Sequence, residues 1–533
     1  MSLKVNNLTL PVEEAEQNLP THLARALSVK PDDVRHFRIL RKALDLRDKR
    51  QLRFTYNFEV ELGEAAKYRA APGVQVATFD EPPFSMPDAG STPLKHRPVV
   101  IGSGPAGLVC AYFLAKHGYR PILLERGTIV SDRIRDVKAF DDGGAFNANS
   151  NYLFGEGGAG TFSDGKLTCR NTGPDVLRVL ELFAECKGQQ PGKPSILYYH
   201  RPHLGSNRLP AVVKAIRQRI TDFGGEVRFL TKVEDLHCDN GGLKGVATSS
   251  GFIETDVVIL AIGHSARDTY EMLAARQVPM TPKAFQFGVR IELQQSVINE
   301  VQYGFQHDHY EQVLGNADFS LVAHGSHDLF TFCMCAGGYI IPSVSDEGYF
   351  CTNGMSLSKR DSPFANSGLV VTVPVDAFES SDVLAGMRLQ QKYEKVAFEL
   401  GRGAYASPAQ RAKDFVNGRV SGMIPTTSYP RATVSASLDE VLPPVVAAAV
   451  REGLPQMDQR WKGRFLKDAM LFGPESRGSS PVRIDRDDVT RESPGIAGLY
   501  PVGEGAGYAG GIVSAAVDGL KTARAVIGKY ATV

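Results

Sequence analysis

The stretch "PVVIGSGPAGLVCAYFLAKHGYRPILLERG", Pro98 to Gly127, limits the fold more than any other part of this chain. It reads as an apolar strand, a glycine turn, an amphipathic helix and a second apolar strand. Gly102, Ser103, Gly104, Pro105, Ala106 and Gly107 spell GxGxxG between strand and helix, and Glu125 with Arg126 follows about 20 residues on. Gly102 permits a tight turn, Gly104 lets a pyrophosphate touch the backbone, and Gly107 allows close helix–strand packing. The helix N-terminus offers N–H groups and a dipole to phosphates, while Glu125 accepts from adenosine ribose hydroxyls. The expectation is α/β: a three-layer, Rossmann-like domain with a parallel central sheet that holds a dinucleotide.

Which dinucleotide follows from the other end of the chain. "GLYPVGEGAGYAGGI", residues 498–512, brings a second strand–glycine turn–helix unit back to the same sheet. A nicotinamide dinucleotide does not need such a return. FAD does, because its ribityl chain and isoalloxazine extend past the pyrophosphate and need a second wall. A third glycine cluster, "LFGEGGAGTFSDGKL" at 153–167, spells GxGxxG again but lacks a preceding apolar strand and is a poor helix. A second nucleotide domain is therefore not expected there.

At 533 residues the chain exceeds one core, and about 150 residues per domain suggests three or so. The reading divides it into a small N-terminal α+β domain with linker (1–92), a first part of the FAD-binding domain (93–284), an interleaved mixed α+β substrate or cap domain (285–480) and a C-terminal FAD-binding part (481–533). Lys plus Arg number 60 against 59 for Asp plus Glu, so no basic field marks a dedicated nucleic-acid binder. The most basic part is the predicted hairpin carrying Arg35, Arg38, Arg41, Lys42, Arg47, Lys49, Arg50 and Arg53. A solvated face is its plain reading, and an RNA-binding or partner-docking surface is the other. Seven cysteines without framework spacing argue for a reducing compartment. With no signal-like N-terminus and no apolar run near ~18 residues, a cytoplasmic protein without a membrane span is expected.

"FTFCMCAGGYIIP", 330–342, places Cys333 and Cys335 one residue apart. On an extended strand such a pair shares a face at roughly 6–7 Å, too far for a disulfide unless the chain kinks. Neither CxxC nor HxxxH spacing accompanies them, so no metal site is expected. A packed cavity wall, with Gly337 and Gly338 letting backbone approach ring or substrate, is preferred to a redox pair.

These motifs together resemble the FAD-binding flavoproteins of the glutathione-reductase type. That resemblance implies that Gly503 and Glu504 stand where the terminal "GD" motif meets the ribityl chain, Glu504 being one methylene longer than the usual Asp. It implies that Gly510, Gly511 and Ile512 border the ring. Gly157, Gly158, Ala159, Gly160 and Thr161 would lie along pyrophosphate and ring, with Ser163 and Lys166 as polar contacts. Ala261, Ile262 and Gly263 match the family's "ATG"-like turn, and Val233 would rest against adenine. More narrowly, "FCMCAGG", "TNGMS" with Arg360, "FGVRIE", "PHLGSNRL" and "GEGAGYAGGI" resemble a bacterial family of predicted FAD-dependent dehydrogenases of unestablished substrate. Ala336 stands where that family shows Pro.

The function expected is a dehydrogenase or reductase that passes hydride between non-covalent FAD and a small organic molecule. An FAD-dependent monooxygenase is the alternative, weakened because "AIGHSARD" lacks the Asp of the hydroxylases' "ADG" turn. A flavoprotein with a binding or RNA-modifying role through its basic N-terminal part is another. With no second strand–GxGxxG–helix unit, NAD(P)H could serve only as a visiting electron donor. Candidate catalytic residues are His203, His264, Tyr508, Cys333 and Cys335. Arg290 and Arg360 could bind an anionic substrate or merely pair with carboxylates.

Overall fold

The computed structural model describes residues 2–532 apart from 65, 170, 190 and 192–194. Near the N-terminus, β1 (Ser2–Pro11) alternates buried and open side chains, with a bulge between Val5 and Leu8. It lies between β3 (Arg53–Leu62) and the short β4 (Gln75–Thr78), and β2 (Val34–Asp45) flanks β3. Helix α1 (Leu19–Leu27) covers this sheet with Leu19, Leu23 and Leu27, the i, i+4, i+8 stripe of the sequence. Each is at most 1% exposed, and such a leucine contributes about 1.5–3 kcal/mol of burial.

The sheet does not close its core alone. Phe54, Phe58 and Leu23 belong to one apolar cluster with Phe285, Leu369 and Phe472 from the chain's second half. A four-stranded sheet with one helix leaves apolar surface over, and packing against a neighbour covers it. The basic hairpin is also less free than its composition suggests. Arg38 pairs with Glu59, Arg47 with Asp45, Arg50 with Asp48 and Lys42 with Glu16.

The central sheet is parallel and five-stranded. β5 (Val99–Ile101) sits between β6 (Ile122–Leu124) and the strand Val258–Leu260. β7 (Glu226–Arg228) and the strand Leu499–Pro501 form the two edges. Val99 and Val100 are fully buried, as an apolar run covered on both faces should be. The chain leaves β5 for β6 on one side and returns to 258–260 on the other. The C-terminal end of β5 is thus a switch point, where open α/β sheets bind ligands. Helix α2 (Pro105–Lys116) departs from expectation. It is buried all round from Ala106 to Ala115 instead of amphipathic, because the C-terminal helix Ile512–Lys529 covers its outer face. A Cβ at Gly519 would stand 2.1 Å from the Ala106 carbonyl oxygen, so the two helices cross in near contact.

A seven-stranded mixed sheet occupies the second half. Strand Phe285–Gln294 is at its centre, with Phe364–Val373 and then Leu329–Cys335 on one side and Met470–Glu475 on the other. Helices Ala385–Leu400 and Pro444–Arg460 pack against it. The chain enters and leaves this region side by side, as strands Met280–Pro282 and Val482–Ile484 pair antiparallel. Among the described residues, no helix is long and apolar enough to cross a membrane.

Candidate functional site

Three glycine turns stand at the C-terminal ends of three adjacent strands: Gly102 after β5, Gly263 after Leu260 and Gly503 after Pro501. Gly102 has φ +99°, and a Cβ there would lie 2.4 Å from the Ala261 carbonyl oxygen, so no other residue fits. Gly107 is as constrained, with its Cβ position 1.9 Å from the Gly102 oxygen. Gly104 is the opposite case, because nothing stands within 4 Å of its Cβ position. The same open space faces Gly263, Gly510 and Gly511, and Ala159, Gly510 and Gly511 are exposed.

These open glycines line one groove. A Cβ on Gly158 would come within 3.0 Å of Gly104. One on Gly160 would touch Pro105 at 3.4 Å and Ile512 at 3.3 Å, the first residues of α2 and of the C-terminal helix. Two helix N-termini, roughly 400 residues apart in sequence, thus converge where backbone is bare. That is the arrangement a pyrophosphate requires. Arg126 lies over the Phe154 ring at 4.2 Å and donates to Asp268, yet its buried Nε has no partner. The bare backbone at Gly104, Gly510 and Gly511 and the two helix N-termini leave room that fits FAD.

Glu125 is a correction. Its carboxylate accepts from the Ser103 N–H (3.0 Å), the Ser103 hydroxyl (2.6 Å), the Gly127 N–H (2.9 Å) and the Gly155 N–H (3.0 Å). All four lone-pair directions of a carboxylate are used, leaving none for a ribose hydroxyl. Glu125 is a strut that pins the second glycine loop to the first. Arg133 does the same from behind. Fully buried, it donates to the carbonyls of Asn151, Gly155, Glu156 and Gly158, and burial lowers its pKa to about 10. Thr161 is likewise internal, donating to Glu156, and Val233 is buried among Leu124, Val99 and Val246. Gly503 donates its N–H to Asp518, which Arg486 and Arg491 also grip. Nothing in the sequence singled out Asp518, Arg133 or Glu156, since their partners are backbone groups or distant in the chain.

Beyond Thr161 the same segment enters a polar cluster. Ser163 turns back to Gly160 and caps the Gly165 N–H, a local turn. Lys166 bonds Asp164 and the Met334 carbonyl. Asp164 is nearly buried and also accepts from Ser356, and His203 Nε2 lies 2.8 Å from Ser356 Oγ and 3.4 Å from Asp164. Burial would raise the Asp164 carboxyl, but Lys166, His203 and Arg360 hold it well below its usual range. Burial depresses the His203 pKa, with Arg360 and Lys166 adding to the effect against the pull of Asp164. Burial would lower the Lys166 ammonium, but Asp164, with Cys335 and Cys333, raises it above its ordinary value. Asp164 and Ser356 were missed in sequence although both stand inside quoted motifs. Only the fold brings 164, 203 and 356 together.

His264 and Tyr508 lie elsewhere. His264 is 3.6 Å from Glu504, near the buried Arg267–Glu394–Arg477 group, and burial lowers its pKa. Glu504 is thus beside the groove with His264 as its neighbour. Tyr508 is stacked under Arg486 at 3.7 Å, and its hydroxyl accepts from the Arg486 N–H, which makes it structural.

The two cysteines depart from the extended geometry. Register against the neighbouring strand shifts between Phe332 and Cys335, and Cys333 has φ +46°. This bulge breaks the shared face. Cys333 becomes exposed while Cys335 is buried, its thiol donating to the Cys333 carbonyl at 3.3 Å. Both are free thiols. Burial pushes the Cys335 pKa up to about 11, so it is protonated at neutral pH. Arg290 sits behind them in a two-oxygen ion pair with Glu475 at 2.8 Å and donates to the Cys333 carbonyl at 2.7 Å.

Comparison with known proteins agrees with this geometry. Residues 284–478 match the family model described as FAD-dependent protein, C-terminal domain-like. Residues 100–160 match an NAD(P)-binding Rossmann-like domain, and 2–61 a domain of unknown function. A protein of Clostridium beijerinckii, named only as uncharacterized, is 39% identical over 537 residues, covering 99% of both chains. Solved structures that match at low similarity include CtdE with FAD (12% identity, TM-score 0.33, 80% of this chain and 82% of that one). Glycine oxidase from Bacillus cereus is another (13%, TM-score 0.33, 81% and 95%). Likeness at that level says nothing of what this chain acts on. With a relative 39% identical over its full length and the FAD-dependent and Rossmann-like matches in hand, the chain belongs to one family with that relative, a family of FAD-dependent proteins, and FAD is its cofactor.

Proposed function

We propose that this chain is a dehydrogenase or reductase for a small organic molecule bound in the cleft between the glycine groove and the bulged strand. One observation carries the reading. The segment that packs its Gly158 and Gly160 on Gly104, Pro105 and Ile512 continues within six residues into Asp164 and Lys166. Cofactor cradle and polar cluster are consecutive parts of one loop. The architecture that suits this is a glutathione-reductase-type FAD domain, an interleaved cap supplying Cys333, Ser356 and Arg360, and the N-terminal α+β unit.

FAD, when bound, supplies two-electron acceptance or donation, and the chain's own groups handle substrate and proton. Oxidation of a C–H next to O or N removes a hydride from carbon and a proton from the heteroatom. Ser356 donates its single hydroxyl proton to Asp164, so His203 Nε2 is the donor toward Ser356 and its Nδ1 carries the lone pair. A neutral imidazole with Nδ1 free is a base for that proton. Lys166 and Asp164 fix the loop and hold the ring's tautomer.

Anaerobic mixing of the yellow protein with candidate substrates, NADH and NADPH, followed at the flavin absorbance, tests this. His203→Gln should slow substrate-driven bleaching by about 10²-fold, the scale of a general base, with FAD content unchanged. Bleaching at the wild-type rate would remove His203 from the reaction.

A further inference from the structure

The cleft carries one more positive charge than its carboxylates neutralise. Arg290 is closed off by Glu475 and by Asn366 at 2.8 Å. Asp164 is the acid shared by Lys166 and Arg360, and Lys166 bonds it directly. Arg360 is left over. Among the described residues its carboxylate neighbour, Asp164, is 3.6 Å from Nη2, beyond hydrogen-bond length, and its buried Nε has no partner. A guanidinium whose side chain is only 21% exposed normally has closer acceptors than one carboxylate at 3.6 Å.

The backbone holds it there under constraint. Arg360 itself has φ +54°, in the left-handed region that a long side chain rarely enters. Its carbonyl is fixed by Asn316 Nδ2 at 2.6 Å. It also abuts Gly337 (φ +51°), where a Cβ would stand 1.9 Å from that oxygen. Strained residues of this kind gather at ligand sites, where the surrounding fold over-determines them. Cys333, with φ +46°, is exposed and feels the charges of Lys166 and Arg290.

We infer that Arg360 is the anchor for a carboxylate group on the molecule that enters this cleft, so the substrate class is a small organic acid. This rests on the reading of the cleft as the substrate site. The planar guanidinium fork matches a carboxylate in two parallel hydrogen bonds. The excess is one charge, which suits a monoanion. A phosphate dianion would bring a second negative charge beside Asp164, whose repulsion the site does not offset. Lys166, engaged by Asp164 and the Met334 carbonyl, is a weaker second contact.

The test uses the FAD-replete full chain, with FAD content measured by heat release on the same preparation. Acetate, pyruvate and benzoate are titrated by calorimetry and by perturbation of the flavin absorbance, against benzamide and inorganic phosphate. Saturable carboxylate binding, absent for benzamide and weaker for phosphate, is expected. Arg360→Gln should weaken it at least tenfold with FAD content unchanged, and Arg360→Lys should recover part of the loss. No saturable carboxylate binding to FAD-replete protein overturns the inference alone, as does an unchanged affinity in Arg360→Gln. Tighter phosphate than carboxylate overturns the ligand class. Wild-type protein that purifies without FAD overturns the proposed function and this site with it.

Discussion

Lys42 of β2 and Tyr198 are joined by backbone. The Lys42 N–H donates to the Tyr198 carbonyl at 2.8 Å, and the His200 N–H donates to the Lys42 carbonyl at 2.8 Å. On its other side this segment binds the cofactor loop, through Leu167 N–H to Pro202 O and Leu204 N–H to Gly165 O. His203 therefore stands between the N-terminal sheet and the loop that carries Asp164 and Lys166. The N-terminal unit, whose basic hairpin invites a nucleic-acid reading, is positioned to hold the segment that carries His203.

Glu16 offers a way to loosen that hold. It accepts from Lys42 Nζ at 2.6 Å and from the Tyr198 hydroxyl at 2.9 Å, while Lys42 is 8% exposed. Glu16→Ala leaves a buried ammonium without its carboxylate and should cost about 2 kcal/mol of stability by denaturant titration. Substrate-driven flavin reduction should slow while FAD content stays at the wild-type value. An unaffected rate would show that the N-terminal contact does not reach His203.

Gly104 and Gly107 should separate cofactor binding from folding. Space is open at Gly104, so Gly104→Val should fold with unchanged circular dichroism and purify colourless. At Gly107 the Gly102 oxygen is 1.9 Å from the Cβ position, so Gly107→Val should fail to fold. Wild-type protein, heat-denatured, should release all its flavin as FAD. FMN, or flavin retained in the pellet, would contradict non-covalent FAD.

Cys333→Ser with Cys335→Ser tests the bulge. Protonated, unpaired thiols on opposite sides of a bulged strand are poor electron carriers. Flavin reduction by substrate should survive within about tenfold, roughly 1.4 kcal/mol of barrier. Its disappearance with FAD still bound would make the pair redox-active.

Glu292 should leave a pH signature in stability. It is 2% exposed, held only by Ser428 among the contacts described, and burial raises its pKa from 4.5 to about 7. A folded-state pKa above the unfolded value means the folded chain keeps the proton longer. Stability is complete below about pH 4.5, declines as pH rises through 7, and is then lower by up to about 3 kcal/mol. Glu292→Gln should match wild type at pH 5 and exceed it at pH 8 in denaturant unfolding. Equal stability at both values would mean the carboxyl titrates normally.

The sequence by itself determined the strand–turn–helix units and the cofactor, because these depend on local constraints. A glycine is needed wherever φ is positive or backbone must approach backbone, and Gly102 and Gly107 declare that at fixed spacing. Leu19, Leu23 and Leu27 likewise declare a helix face. Tertiary structure decided what each polar group does, since a side chain's role depends on which distant atoms meet it. Glu125 had the position of a ribose acceptor, yet the Gly155 N–H, 30 residues on, and the Ser103 turn take all its lone pairs. Cys333 and Cys335 had the spacing of a shared face until register with the neighbouring strand inserted a bulge. Arg290 and Arg360 looked alike in sequence. Glu475 neutralises the first from 185 residues away, while the second has Asp164 at 3.6 Å and, among the described residues, no partner for its Nε.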